Sequence, residues 1–146
     1  MRSKKVILDT NLWISFLISK KFKDIDNLID KRKLILIFSQ ESIEEFLTVA
    51  KRPKFKRYFS DNDLKELLQH FDKYGKLVKV KAIISDCRDY KDNFLLSLAV
   101  ESKADFLVTG DTDLLILKNI KKTIICTWIE FLDKLKNKAR RHNTRS

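Results

Sequence analysis

An α/β sandwich is the fold class this sequence predicts, with a central, largely parallel sheet of about five strands flanked by helices. Three observations predict it. The runs VILDT and ADFLVTG are short and continuously apolar, as strands covered on both faces are. Between such runs lie longer stretches with apolar residues at helical spacing, so that strands and helices alternate. Glycine and proline number only two and one in 146 residues, which favours long regular elements joined by short connections. A chain of this length can bury a sizeable core without disulfide or metal staples.

The elements follow in order. Lys5–Leu8 reads as the first strand and ends at Asp9. Asn11 to Leu17 reads as a helix, and Ile25, Leu28 and Ile29 give a second helical piece its apolar face. Leu34–Phe38 is the second strand. Ser39 to Lys51 is a helix with Ile43, Phe46, Leu47 and Ala50 at helical spacing, ended by Arg52-Pro53 because the residue before proline is driven away from the helical region. Asp61 to Tyr74 is a helix with Leu64, Leu67, Leu68 and Phe71 on one face, and Gly75 is its expected stop. Leu77–Val80 is the third strand. A helix from Asp92 to about Glu101 leads to the strand Phe106–Thr109. Gly110 is expected to make a tight turn before a helix from Asp111 to Leu117. Thr123–Cys126 is the last strand and Trp128 to Asn137 the last helix. One domain is expected over residues 1–138, followed by a basic, disordered tail over 139–146 that lacks apolar periodicity.

The formal net charge is +11, from 31 basic and 20 acidic residues. An excess of that size points to a polyanionic partner, since phosphate contacts supply most nonspecific affinity for nucleic acid. No apolar run is long enough to span a bilayer. The start, MRSKKVILDTN, leads straight into a strand without a signal-peptide pattern, so a cytoplasmic location is expected. Cys87 and Cys126 lack metal-ligand spacing and read as small core residues in a reducing compartment.

Against this positive background the stretch from Asp86 to Leu115 holds five aspartates outside any obvious surface helix face. Asp86, Asp89 and Asp92 precede a helix, and Asp111 and Asp113 follow a strand and a glycine. Asp9 stands at the end of the first strand, where α/β proteins hold ligands in the crevice above the sheet. Each has a plainer reading too: Asp9 and Asp92 as helix caps, Asp111 and Asp113 as turn residues. Glu44 and Glu45 both flank the apolar face of their helix, and periodicity does not choose between them. Together, these acids at strand ends and helix starts form an oxygen-only ligand set suited to a hard cation such as Mg²⁺ or Mn²⁺. His70 and His142 lie far apart in sequence and form no zinc-like cluster with the cysteines.

VILDTN, EFLTVAKRPKF and DCRDYKDNFLLSLAVESKADFLVTGDTDLL resemble the PIN (PilT N-terminal) domain, above all its branch of toxins from toxin–antitoxin systems similar to VapC ribonucleases. The resemblance runs from about Lys5 to Leu132. It implies a PIN-like three-layer sandwich and a Mg²⁺- or Mn²⁺-dependent endoribonuclease that leaves 5′-phosphate and 3′-hydroxyl ends. The catalytic acids it implies are Asp9, Glu45, Asp92 and Asp111. Asp9, Asp92 and Asp111 would hold metal, with Asp113 as a variable accessory ligand. Asn11 and Thr109 match polar positions near the metal. Tyr90 stands where relatives often have proline, which is expected to alter a turn and not the chemistry. The partners implied are RNA, a cognate antitoxin and a second copy of the chain in a homodimer, with no membrane involved. Arg52, Lys54, Lys56 and Arg57 follow the Glu45 helix and are candidates for guiding RNA phosphates, and Tyr58 and Phe59 for stacking on a base.

Two other readings compete. In one, the chain is a binding module for nucleic acid or protein whose acids are structural. In the other, Asp9 is the nucleophile of a phosphotransferase resembling haloacid-dehalogenase enzymes. That chemistry needs a second aspartate two positions on, where this chain has Asn11, which cannot act as a general acid.

Overall fold

The computed structural model describes residues 3–19, 34–81 and 90–135. The expected helical piece at Ile25–Ile29, together with Asp86, Cys87, Asp89, His142 and the 139–146 tail, lies outside the described residues. So do the side chains of Leu67, His70 and Phe71. β1 (Lys4–Leu8) is followed by α1 (Thr10–Ser19), then β2 (Leu34–Phe38), α2 (Gln40–Ala50) and a 3₁₀ turn (Pro53–Phe55). α3 (Asp61–Tyr74) runs directly into β3 (Gly75–Leu77), and α4 (Tyr90–Ser102), β4 (Phe106–Val108) and α5 (Thr112–Leu115) follow. β5 (Asn119–Ile120) and β6 (Thr123–Cys126) close the sheet, and α6 is helical over 128–135.

The strands lie in the order β3-β2-β1-β4-β6-β5. All neighbours pair in parallel except β5, which pairs antiparallel with β6. The expected largely parallel sheet is therefore present, with six strands among the described residues and not five. The strand missed in the sequence, β5, has two residues flanked by lysines, too short for any alternation to register. The third strand lies two to three residues earlier than expected, at Gly75–Leu77, and the Val78 N–H still donates to the Phe38 carbonyl at 2.7 Å just beyond it. It is an edge strand with Leu77 exposed, so burial placed no constraint on its pattern. Gly75 does not cap α3 through a left-handed backbone, and Gly110 has none either. A Cβ on Gly110 would meet nothing within 4 Å, so the turn there does not require glycine.

The continuous apolar strands are explained by two cores, one on each face of the sheet. Val6, Leu8, Leu36, Phe38, Phe106 and Val108 point to one face, where Trp13, Phe46, Val49, Leu64 and Phe131 of the helices meet them. The alternate residues Ile7, Ile37, Leu107 and Ile125 point to the other, covered by Leu95, Leu96, Leu98 and Ala99 of α4 and Leu114 of α5. The result is three layers, helix–sheet–helix. Each fully buried Leu or Ile contributes about 1.5–3 kcal/mol. Connections from strand to helix are short. Ser39 alone joins β2 to α2 and caps it, accepting from the Ser42 N–H at 3.0 Å while its own N–H donates to Ser42 Oγ.

Leu107 is fully buried at the sheet centre, whereas Ile124 on β6 is 37 % exposed. Leu107→Ala should cost about 2–5 kcal/mol in urea unfolding and Ile124→Ala less than about 1 kcal/mol. Burial, with the Glu130 carboxylate adding to it, pushes the Cys126 thiol up to about 11. At pH 8 about one Cys126 in a thousand is thiolate by that value. In a Cys87→Ser background, alkylation at pH 8 should therefore stay far slower than for a free thiol and rise steeply only toward pH 11.

Candidate functional site

From β1 the chain moves through β2 to β3 on one side and then returns to place β4 on the other side of β1. The boundary between β1 and β4 is thus the topological switch point, and a crevice opens beyond the C-terminal strand ends there. The register pairs Leu8 with Val108, so the next residues, Asp9 and Thr109, stand side by side. The ladder continues past the strands: the Asp9 N–H donates to the Val108 carbonyl, and the Thr109 N–H to that of Cys126, each at 3.0 Å.

A short hydrogen-bonded chain fixes the carboxylates. Thr109 Oγ1 donates to Asp9 Oδ2 at 2.8 Å and accepts the Asp111 N–H at 3.0 Å. Asp9 Oδ1 accepts the Asn11 N–H at 3.1 Å, which makes Asp9 a cap for α1 as well as a residue of the crevice. Asp111 caps α5 in the same way, its Oδ1 accepting the Asp113 N–H at 2.9 Å. Asp92 enters from the first turn of α4, where helix amides favour an anion, and is only 5 % exposed. One carboxylate oxygen each from Asp92, Asp111 and Asp113 lies within 4.8 Å of the others.

A cleft of about 250 Å³ brings Asp9, Asn11, Glu45, Asp92 and Asp111 together with Arg52 and Lys91. A second hollow, lined by Ser15 and Gly110, shares Asp9, Asn11 and Asp111 with it. An apolar void between β1, β2 and the helices holds only about 10 Å³ and has no comparable set of acids. Exposure resolves what periodicity left open on α2. Glu45 turns into the cleft, while Glu44 is exposed and accepts from Gln40 Nε2 at 3.2 Å.

Of the basic candidates, Arg52 lines the cleft, and Lys54, Lys56 and Arg57 are not among its lining residues. Lys54 stands over the Phe55 ring at 5.0 Å, and Arg57 over that of Tyr58 at 4.8 Å. Phe55 and Phe59 are partly buried against the core, which favours a packing role for them, whereas Tyr58 is exposed. Two residues escaped the sequence reading. Thr10 Oγ1 donates to Glu45 Oε2 at 3.4 Å, and Lys91 Nζ lies 3.2 Å from Glu45 Oε1. The only available signal was adjacency, since Thr10 follows Asp9 and Lys91 precedes Asp92. Tyr90 is the first residue of α4, a position that proline also suits, so its substitution leaves the helix start in place.

A family model described as the PIN domain matches residues 5–113. An uncharacterized protein of Methanocaldococcus jannaschii is 31 % identical over 121 residues, a span covering 81 % of this chain and 77 % of that protein. The chain is also similar in structure to a chain in the crystal structure of VapBC2 from Rickettsia felis bound to a DNA fragment from their promoter. There the TM-score is 0.54 at 16 % identity, over 85 % of this chain and 98 % of that one. At that identity the likeness establishes the fold alone.

Thr109 is 1 % exposed, and its hydroxyl serves both Asp9 and Asp111. Thr109→Val should therefore cost about 1–3 kcal/mol in chemical denaturation, because it strands a carboxylate oxygen and an N–H. Thr109→Ser keeps both hydrogen bonds and should cost clearly less.

Proposed function

The chain belongs to the PIN domain family, and from that premise we propose that it is a metal-dependent endoribonuclease, the toxin of a toxin–antitoxin pair. The observation that carries the reading is the meeting of Asp9, Glu45, Asp92 and Asp111, distant in sequence, around one cleft. The donor set fits Mg²⁺ or Mn²⁺: it is all oxygen, and one carboxylate oxygen each from Asp92, Asp111 and the adjoining Asp113 lies within 4.8 Å of the others. Asp92 is only 5 % exposed, which sets it apart from a solvated surface aspartate.

In this reading Asp92 and Asp111 hold the ion, with Asp9 beside them and Asp113 at the exposed side. A bound divalent ion supplies an activated water and relieves charge on the leaving oxygen of the phosphodiester. The chain's own groups do the rest. Glu45, steadied by Thr10, orients the attacking water or takes its proton. Thr109 and Asn11 keep Asp9 aimed into the cleft. The net charge of +11 favours the approach of a polyanion, and RNA is the one this reading takes. The similarity to a chain of a VapBC complex supports a cognate antitoxin as partner, and a homodimer completes the assembly proposed. No helix among the described residues is long and apolar enough to cross a membrane.

Asp9→Asn should lower Mn²⁺-dependent cleavage of single-stranded RNA by more than about 100-fold, beyond the loss expected when a merely supporting group is removed. The variant should keep the wild-type circular dichroism. Wild-type products should carry 5′-phosphates and 3′-hydroxyls, and EDTA should stop their formation. Equal cleavage by wild type and variant, in preparations free of contaminating nuclease, would refute the assignment.

A further inference from the structure

Lys91 and Arg52 are the two cations among the lining residues of the acidic cleft. We infer that Lys91 is a substrate-positioning residue, paired with Glu45 in the free protein and handed over to a phosphate of the bound RNA strand. This rests on the nuclease reading above and adds to it a residue that reads the substrate backbone.

The geometry carries the inference in three steps. Lys91 Nζ stands 3.2 Å from Glu45 Oε1, with the two side chains 61 % and 32 % exposed. So wet an ion pair is weak and readily exchanged for another anion. The second step is electrostatic. A phosphate entering the cleft faces Asp9, Glu45, Asp92 and Asp111, and their charge repels it unless a cation meets it. Lys91 can do so because its flexible four-carbon stem lets the ammonium move while its backbone is held in α4. The third step is the fate of Glu45. Its other oxygen accepts a long hydrogen bond from Thr10 at 3.4 Å, and its backbone is fixed in α2, so the carboxylate stays at the cleft when Lys91 leaves and becomes available to the water. Lys91 thus links arrival of the substrate to release of the base.

The test is fluorescence anisotropy with a labelled single-stranded oligoribonucleotide, in EDTA so that nothing is cut. Lys91→Met should raise Kd by about 3- to 10-fold and reduce the slope of log affinity against log salt by about 0.7, the loss of one phosphate contact to a single strand. Lys91→Arg should restore most of the affinity. Glu45→Gln should move the other way and tighten binding by about 2- to 5-fold, since it removes a negative charge from the cleft and the Glu45 competitor for Lys91. If the pair were only structural, Glu45→Gln would weaken binding alongside Lys91→Met. Lys121→Met, in the β5–β6 turn at the opposite end of the sheet, should change Kd by less than about 2-fold. In turnover, Lys91→Met should raise KM while kcat stays within about 2-fold.

Unchanged affinity and salt slope in Lys91→Met, or weaker binding in Glu45→Gln, would overturn the proposal. If wild type shows no metal-dependent cleavage while the binding shifts appear, the nuclease reading fails and the phosphate contact stands. If wild type cleaves but Lys91→Met binds as wild type does, the nuclease reading stands and the role of Lys91 fails.

Discussion

The parallel pairing of β1 with β4, carried one residue past the strand ends, is the constraint on which the rest of the structure depends. It sets Asp9 beside Thr109, and the Thr109 hydroxyl then ties Asp9 to the backbone of Asp111. A slip of one residue would send every side chain of a strand to the opposite face of the sheet. Both faces here are packed cores with different side chains, Val6 and Leu8 on one and Ile7 on the other, so the register has no alternative of similar energy. Apolar packing thereby fixes the positions of the polar groups at the strand ends. Fold stability and site geometry are linked through the same few residues.

The charge distribution has two scales. Over the whole chain the excess is positive, at +11, which attracts polyanions at long range. At the switch point the sign reverses, with four acids around one cleft and Lys91 and Arg52 among them. An acidic pocket in a basic protein suits a cation that mediates between carboxylates and a phosphate backbone. In the proposed reading, Lys91 and Arg52 are the cations that such a backbone meets in the cleft.

Much of this was legible in the sequence, for reasons that differ by element. β2 and β6 have the limits expected for them: β2 is an unbroken apolar run covered on both faces, and β6 is a short β-branched run ending at Cys126. β3 and β5 sit toward the sheet edges, where little burial shapes the pattern, and they were misplaced or missed. Asp9 could be read as a cap or as a crevice residue, and it is both, since its two oxygens serve separate ends. Glu44 and Glu45 were indistinguishable by periodicity because each borders the buried face. Within the structure they are separated by exposure and by partners from other elements, since Glu45 meets Thr10 and Lys91 while Glu44 meets Gln40 of its own helix. The pairing of Glu45 with Lys91 joins residues far apart in the chain, so no local pattern could have announced it. Gly110 does lie in the short connection from β4 to α5, but the connection makes no use of its backbone freedom, so the glycine there is not a requirement.

Anomalous diffraction from crystals grown with Mn²⁺ addresses the convergence of the acids most directly. The account requires a peak in the cleft, with carboxylate oxygens of Asp92 and Asp111 at bonding distance and Asp9 beside them, and its loss in Asp92→Asn crystals of the same form. Ordered density for these three side chains with no Mn²⁺ peak among them, at concentrations that saturate cleavage, would contradict it.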